Sequence, residues 1–188
     1  MSGSSGSPGR SSAETARAID PDGWFHTGDI GELDEIGRIS ITDRLKNIIV
    51  LGNGKNVSPA PMEAALSTSR YVAQAVVLGD RQAYTGALIA PDFDELGLWA
   101  AANGLAEMPP EQLIEQKAVD RLFDAEVKRT LEGFAVYERP RRTALLPRLL
   151  SEEEGELTPS LKTKNRVVLQ NWADKIAYLF DEKRGASG

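Results

Sequence analysis

Two apolar runs of strand length, residues 72–78 and 85–90, lie near the middle of the chain with a turn at residues 80–84 between them. A pair of strands this short and apolar is stable only if other elements cover it. The covering elements follow in the sequence. Residues 96–103 read as a short helix. Pro109-Pro110-Glu111 opens a longer one, in which Leu113, Ile114, Val119, Leu122, Phe123, Val127 and Leu131 recur at helical spacing until Gly133. A last helix, residues 164–180, carries Val168, Trp172, Ile176 and Leu179 on one face. Upstream, residues 31–34 and 38–42 flank a turn and suggest a hairpin. β-branched residues 47–51 predict a strand, and Val57 a short return strand after a loop with two glycines. Residues 58–69 read as a helix with proline in its first turn. Residues 139–147 read as irregular and residues 152–159 as a polar, acidic loop. A few strands followed by several helices predict an α+β fold, a small central sheet flanked by helices.

Composition removes whole classes of chemistry. The 188 residues allow about one medium domain, and 22 Lys plus Arg against 28 Asp plus Glu leave a net charge of −6, the opposite of a nucleic-acid footprint. There is no cysteine, hence no disulfide, thiolate zinc site or cysteine nucleophile, and a single histidine excludes multi-histidine metal sites. No apolar run approaches the roughly 20 residues of a membrane helix. The opening Met1-Ser2-Gly3-Ser4-Ser5-Gly6 lacks the apolar centre of a signal peptide. Residues 1–20 are read as a tag or flexible linker and 183–188 as a flexible tail.

Three segments could carry chemistry. In Trp24-Phe25-His26-Thr27-Gly28-Asp29 the aspartate could accept two hydrogen bonds from a vicinal diol, as in a ribose. An aspartate that merely organises a turn is the commoner use of such a sequence. Asp43-Arg44-Leu45-Lys46 leads toward Gly52-Asn53-Gly54-Lys55-Asn56, where glycines let backbone approach a ligand and Lys55 could meet a phosphate. Taken in isolation, a plain hairpin loop with a solvated lysine is the commoner use of such a sequence. Finally, Lys162, Lys164 and Arg166 crowd the start of a helix, where the macrodipole disfavours cations. Either an anion visits them or they balance Glu152, Glu153 and Glu154.

Taken in order, these segments resemble the adenylate-forming superfamily, and within it the AMP-forming long-chain acyl-CoA synthetases. Residues 22–31 are similar to that family's late nucleotide motif. Residues 43–50 look like its hinge motif, and residues 54–63 like the loop and helix that follow. Gly155-Glu156-Leu157-Thr158-Pro159-Ser160-Leu161-Lys162 resembles its C-terminal lysine motif.

The resemblance implies a two-step reaction. A fatty acid and ATP give acyl-AMP and pyrophosphate, and coenzyme A then displaces AMP. It implies Lys162 as the catalytic adenylation lysine, with Lys164 as a rival because Leu161 stands where many relatives have glycine. It implies Asp29 and Arg44 as nucleotide-binding residues and Lys46 as the hinge. Gly52, Gly54, Lys55 and Asn56 would form the thioester-face loop toward coenzyme A. ATP, Mg²⁺ and coenzyme A are the implied cofactors, and no metal is assigned to residues of this chain. Residues 21–43 are expected to be terminal strands of a large N-terminal adenylation domain, the principal partner, and residues 44–182 a mobile C-terminal domain. Alone, the piece is expected to be inactive. The implied setting is cytoplasmic, with peripheral membrane contact allowed. Two alternatives stay open: an enzyme that loads a carrier protein, and a non-enzymatic interaction module.

Overall fold

The computed structural model describes residues 29–33, 36, 39–44, 47–106 and 108–181, with only the backbone described for 29–33 and 39–44. The chain divides between Lys46 and Asn47 into two units. The first contains an antiparallel hairpin of β1 (Asp29–Leu33) and β2 (Ile39–Arg44), with a register shift between Ile30 and Gly31.

The second unit is an α+β domain. Its centre is a three-stranded sheet in the order β5–β6–β7, where β5 is Val72–Leu78, β6 is Gly86–Pro91 and β7 is Arg142–Leu145. β5 and β6 are antiparallel, and β6 and β7 are parallel. The parallel pair needs a long crossover. It runs through α2 (Phe93–Ala102), α3 (Pro110–Leu113) and α4 (Lys117–Thr130). β6 is buried along its whole length, which its sequence Gly-Ala-Leu-Ile-Ala-Pro permits because no side chain needs water.

Alternation along the strands feeds two cores. One face places Val77, Ala87, Ile89 and Leu145 against α1 (Pro59–Leu66), α2 and α4, around Met62, Leu96 and Phe123. The other places Val76, Leu78, Leu88, Ala90 and Ala144 against Leu157, Val168 and Leu179. These last two side chains belong to α5 (Asn165–Asn171) and α6 (Ala173–Leu179). The short hairpin of β3 (Ile49–Val50) and β4 (Asn56–Val57) roots Ile49, Leu51 and Val57 in the first core.

The α+β reading stands, and several boundaries are corrected. The strand read at 47–51 is only Ile49–Val50, and the helix read at 58–69 ends at Leu66, where Ser67 caps it. The helix read from Pro109 to Gly133 is two helices. At about 100° per residue, Ile114 lies about 140° around a helix from Val119. Since Ile114, Val119 and Phe123 are all buried in one core, one straight axis cannot serve them. The segment read as irregular, 139–147, contains β7. Arg142 and Thr143 are only half-buried, and pairing with Gly86 and Ala87 makes the strand. The last helix breaks at Trp172, with φ −113° and ψ 27°. The acidic loop is not wholly polar surface, because Glu156 and Leu157 are buried.

Candidate functional site

The lysine segment is a small, well-braced hairpin. Glu156 O accepts from Lys164 N at 2.7 Å, and Leu157 pairs antiparallel with Thr163. Thr158 N donates to Lys162 O at 2.8 Å, while Lys162 N donates to Thr158 Oγ1 at 3.0 Å. The tip turns through Leu161, whose N–H reaches Thr158 O at 2.8 Å. Leu161 has φ +58° and is 72% exposed. The left-handed conformation favours glycine. Lys162 is therefore held by its own backbone at the end of the hairpin, with its side chain exposed. Lys164 is exposed too, but occupies the N-cap of α5. Among the described residues, Lys162, Lys164 and Arg166 form no ion pair. Glu154 and Glu156 pair with Arg148.

Under the hairpin lies a group that sequence reasoning missed. The Glu156 side chain is fully buried. Its carboxylate accepts from Arg148 Nη1 at 2.8 Å and Nη2 at 3.0 Å. Ser151 N donates at 3.2 Å, Asn171 Nδ2 at 3.1 Å and Trp172 Nε1 at 2.9 Å. Burial pushes this carboxyl up, but the bonds from Arg148, Asn171 and Ser151 outweigh it and hold Glu156 below the ordinary range. Arg148 also lies over the Trp172 ring, 4.8 Å from its centroid. The signal in the sequence was Arg148 and Glu156 on either side of an acidic run, which gives no direction for a side chain.

The glycine loop closes through Leu51 N to Lys55 O at 2.9 Å and Gly54 N to Leu51 O at 2.8 Å. Gly54 has φ +80°, and Gly52 N donates to Gln82 O at 2.8 Å. Asn56 pairs with Val50 in the small sheet. The Lys55 ammonium sits 4.1 Å from the centroid of the Tyr137 ring, a contact no motif announced. Tyr137 and the 83%-exposed Val136 border an open groove of about 390 Å³ with Leu51, Asn53, Tyr84 and Arg141. The glycine loop and the lysine hairpin thus grow from cores on opposite faces of one sheet.

Asp29 and Arg44 are Cα partners in the first hairpin, so the backbone brings both nucleotide candidates to one register position. Lys46 lies outside the described residues. No helix among the described residues is long and apolar enough to cross a membrane.

Known proteins resemble this chain in sequence and in fold. The chain is 37% identical over 163 residues to the long-chain-fatty-acid–CoA ligase FadD15 of Mycobacterium tuberculosis, covering 86% of this chain and 27% of that protein. It is 37% identical over 163 residues to human long-chain-fatty-acid–CoA ligase 1, covering 85% of this chain and 23% of that one. The chain therefore spans about a quarter of these relatives' length. Its fold matches the A domain of carboxylic acid reductase from Segniliparus rugosus, solved with AMP and a co-purified carboxylic acid. That match has a TM-score of 0.73 at 26% identity, over 91% of this chain and 25% of that one. The A-PCP didomain of the same reductase matches with a TM-score of 0.61 at 26% identity, over 92% of this chain and 22% of that one. Residues 46–183 match the model of the AMP-binding enzyme C-terminal domain, and the chain belongs to that family.

Proposed function

We propose that this chain is the lysine-bearing lid of an AMP-forming long-chain fatty acid–CoA ligase. The observation that carries the reading is Lys162, an exposed cation without an ion pair among the described residues, whose C=O accepts from Thr158 N and whose N–H donates to Thr158 Oγ1. In adenylation the fatty acid carboxylate attacks the α-phosphorus of ATP and pyrophosphate leaves. Lys162 stabilises the negative charge that builds on the attacking oxygen and the α-phosphate. It needs no proton transfer to do so. ATP arrives with Mg²⁺ held by its phosphates. Asp29 accepts hydrogen bonds from the ribose hydroxyls, and Arg44 meets the ribose or phosphate.

The second step turns the domain about Lys46, replacing the lysine hairpin with the glycine loop. The placement of the two loops on opposite faces of one sheet supports such an exchange. Gly52, Gly54, Lys55 and Asn56 then face the incoming coenzyme A, whose thiol displaces AMP. The partner is an adenylation domain on the N-terminal side of this chain.

A second reading, transfer of the acyl group to a carrier domain, is favoured by the likeness to the A-PCP didomain. The test is a purified protein in which this chain follows its adenylation domain. With palmitate, ATP and Mg²⁺ it should release pyrophosphate, and coenzyme A should be acylated. Acylation of a holo carrier protein but not of coenzyme A would favour the second reading. No adenylation with any carboxylic acid would contradict both.

A further inference from the structure

The three rungs of the lysine hairpin run from a buried base to an exposed tip. Glu156 with Lys164 is the base, Leu157 with Thr163 the middle, and Thr158 with Lys162 the tip. Glu156 is the only fully buried carboxylate among the described residues, and it is placed at that base. Its side chain is fully buried while that of Arg148 is 39% exposed, and loss of either partner would break the pair that holds the carboxylate there. What a carboxylate adds is direction. Its partners reach it from Arg148 ahead of the hairpin, from Ser151 in the connecting loop, and from Asn171 and Trp172 behind it.

The last two partners are adjacent in sequence. In a continuous helix neighbours point about 100° apart. The break at Trp172 lets both donate to the same oxygen, Oε1. The base is thus fixed to the segment before the hairpin and to the junction of the two helices after it. The tip has no comparable anchor, since Leu161 and Lys162 are both exposed.

We propose that Glu156, with Arg148, is a positioning residue for Lys162. It touches no substrate. It fixes the base of the hairpin and thereby aims the ammonium carried on the third rung. The proposal rests on the reading of Lys162 given above.

The test compares Arg148→Lys, Glu156→Gln, Lys162→Ala and the Glu156→Gln/Lys162→Ala double variant in the ligase that contains this chain. Arg148→Lys keeps the charge and loses the two-pronged contact, so it carries the test if Glu156→Gln fails to fold; the double variant is then Arg148→Lys/Lys162→Ala. In the positioning variants, hydrogen exchange should speed up at least about tenfold at residues 158–164 and stay unchanged in β5 and β6. Adenylation kcat should fall roughly tenfold to a hundredfold, the scale of a misplaced catalytic group. The KM for fatty acid and thioester formation from supplied acyl-AMP should hold.

The decisive readout is the double variant. A residue that acts through Lys162 adds nothing once Lys162 is gone, so it should be no slower than Lys162→Ala alone. Multiplied losses, equal losses in both half-reactions, or unchanged exchange at 158–164 would overturn the proposal. Lys162→Ala with intact adenylation would overturn the role of Lys162 and with it the positioning claim. Loop exchange in Arg148→Lys would then still decide whether Glu156 holds the hairpin.

Discussion

Leu161 and Gly54 both adopt positive φ, at 58° and 80°, in the lysine hairpin and the glycine loop. Neither residue is there to fill space. A Cβ added at Gly54 meets nothing within 4 Å, and Leu161 is 72% exposed. Conformation alone therefore sets the cost of substitution. Gly54→Ala should destabilise the chain by about 1 kcal/mol, the price of a left-handed non-glycine residue. Gly97→Ala, inside α2 with equally open surroundings, should stabilise it by roughly 0.5–1 kcal/mol. At position 161, Val should cost about 1 kcal/mol relative to Leu, while Gly should not lower stability. Urea unfolding of the four variants checks both pairs. Losses that are the same at positions 54 and 97 would mean that packing, not φ, governs them. The role proposed for Lys162 rests on residue identity in a short loop, and the segment was visible in the sequence for that reason. Glu156 was not, because burial of a carboxylate depends on donors that start 8 residues upstream and end 16 downstream.

Elements were legible where one strand or helix buries one regular pattern. β5, β6 and the stripe Val119, Phe123, Val127 follow that rule. Phe123 is fully buried between α4 and the sheet, so Phe123→Ala should cost about 3–5 kcal/mol. A loss below about 1 kcal/mol in calorimetry would contradict the placement of that core. Elements that owe their form to partners were misread. β7 is a strand because β6 lies beside it. Its Arg142 is spent on the carbonyls of Tyr178 and Asp181, at 3.2 and 2.8 Å, at the C-terminal end of α6. That cation satisfies carbonyls a helix end leaves open. α5 and α6 are separate helices, and at their junction Asn171 and Trp172 share Glu156. Gly86 is the matching case in the sheet. A Cβ there would come within 3.2 Å of Leu179, so the missing side chain lets α6 lie against β6.

At the scale of the whole molecule, acid is the informative perturbation. Glu156 is held below the ordinary glutamate value of 4.5 in the folded chain. Its contribution to stability is therefore fully present above about pH 4.5 and is lost as pH falls through the lower folded value. Glu126 shifts the same way, through its bond from Arg129 and despite partial burial. Asp120 is raised by burial and by Asp124, so its contribution runs opposite and is lost as pH rises. Comparison of the chain with its Glu156→Gln variant isolates the first effect. The stability difference should be largest at pH 7 and should shrink steadily below about pH 4.5. A difference independent of pH would mean that Glu156 binds its proton equally well folded and unfolded, and one that grew toward acid would mean that folding raises its pKa.

The same scale holds the central proposal, that one sheet carries two working faces and that Lys162 serves only the first. The most direct measurement separates the half-reactions in the proposed ligase that contains this chain, with and without Lys162→Ala. Loss of the charge-stabilising cation should cut adenylation of palmitate by at least about a hundredfold, the scale of losing one preorganised transition-state contact. Thioester formation from supplied acyl-AMP and coenzyme A should stay within about twofold, since only interactions made in that transition state can alter its rate. Equal losses in both steps, or full adenylation without Lys162, would contradict the account.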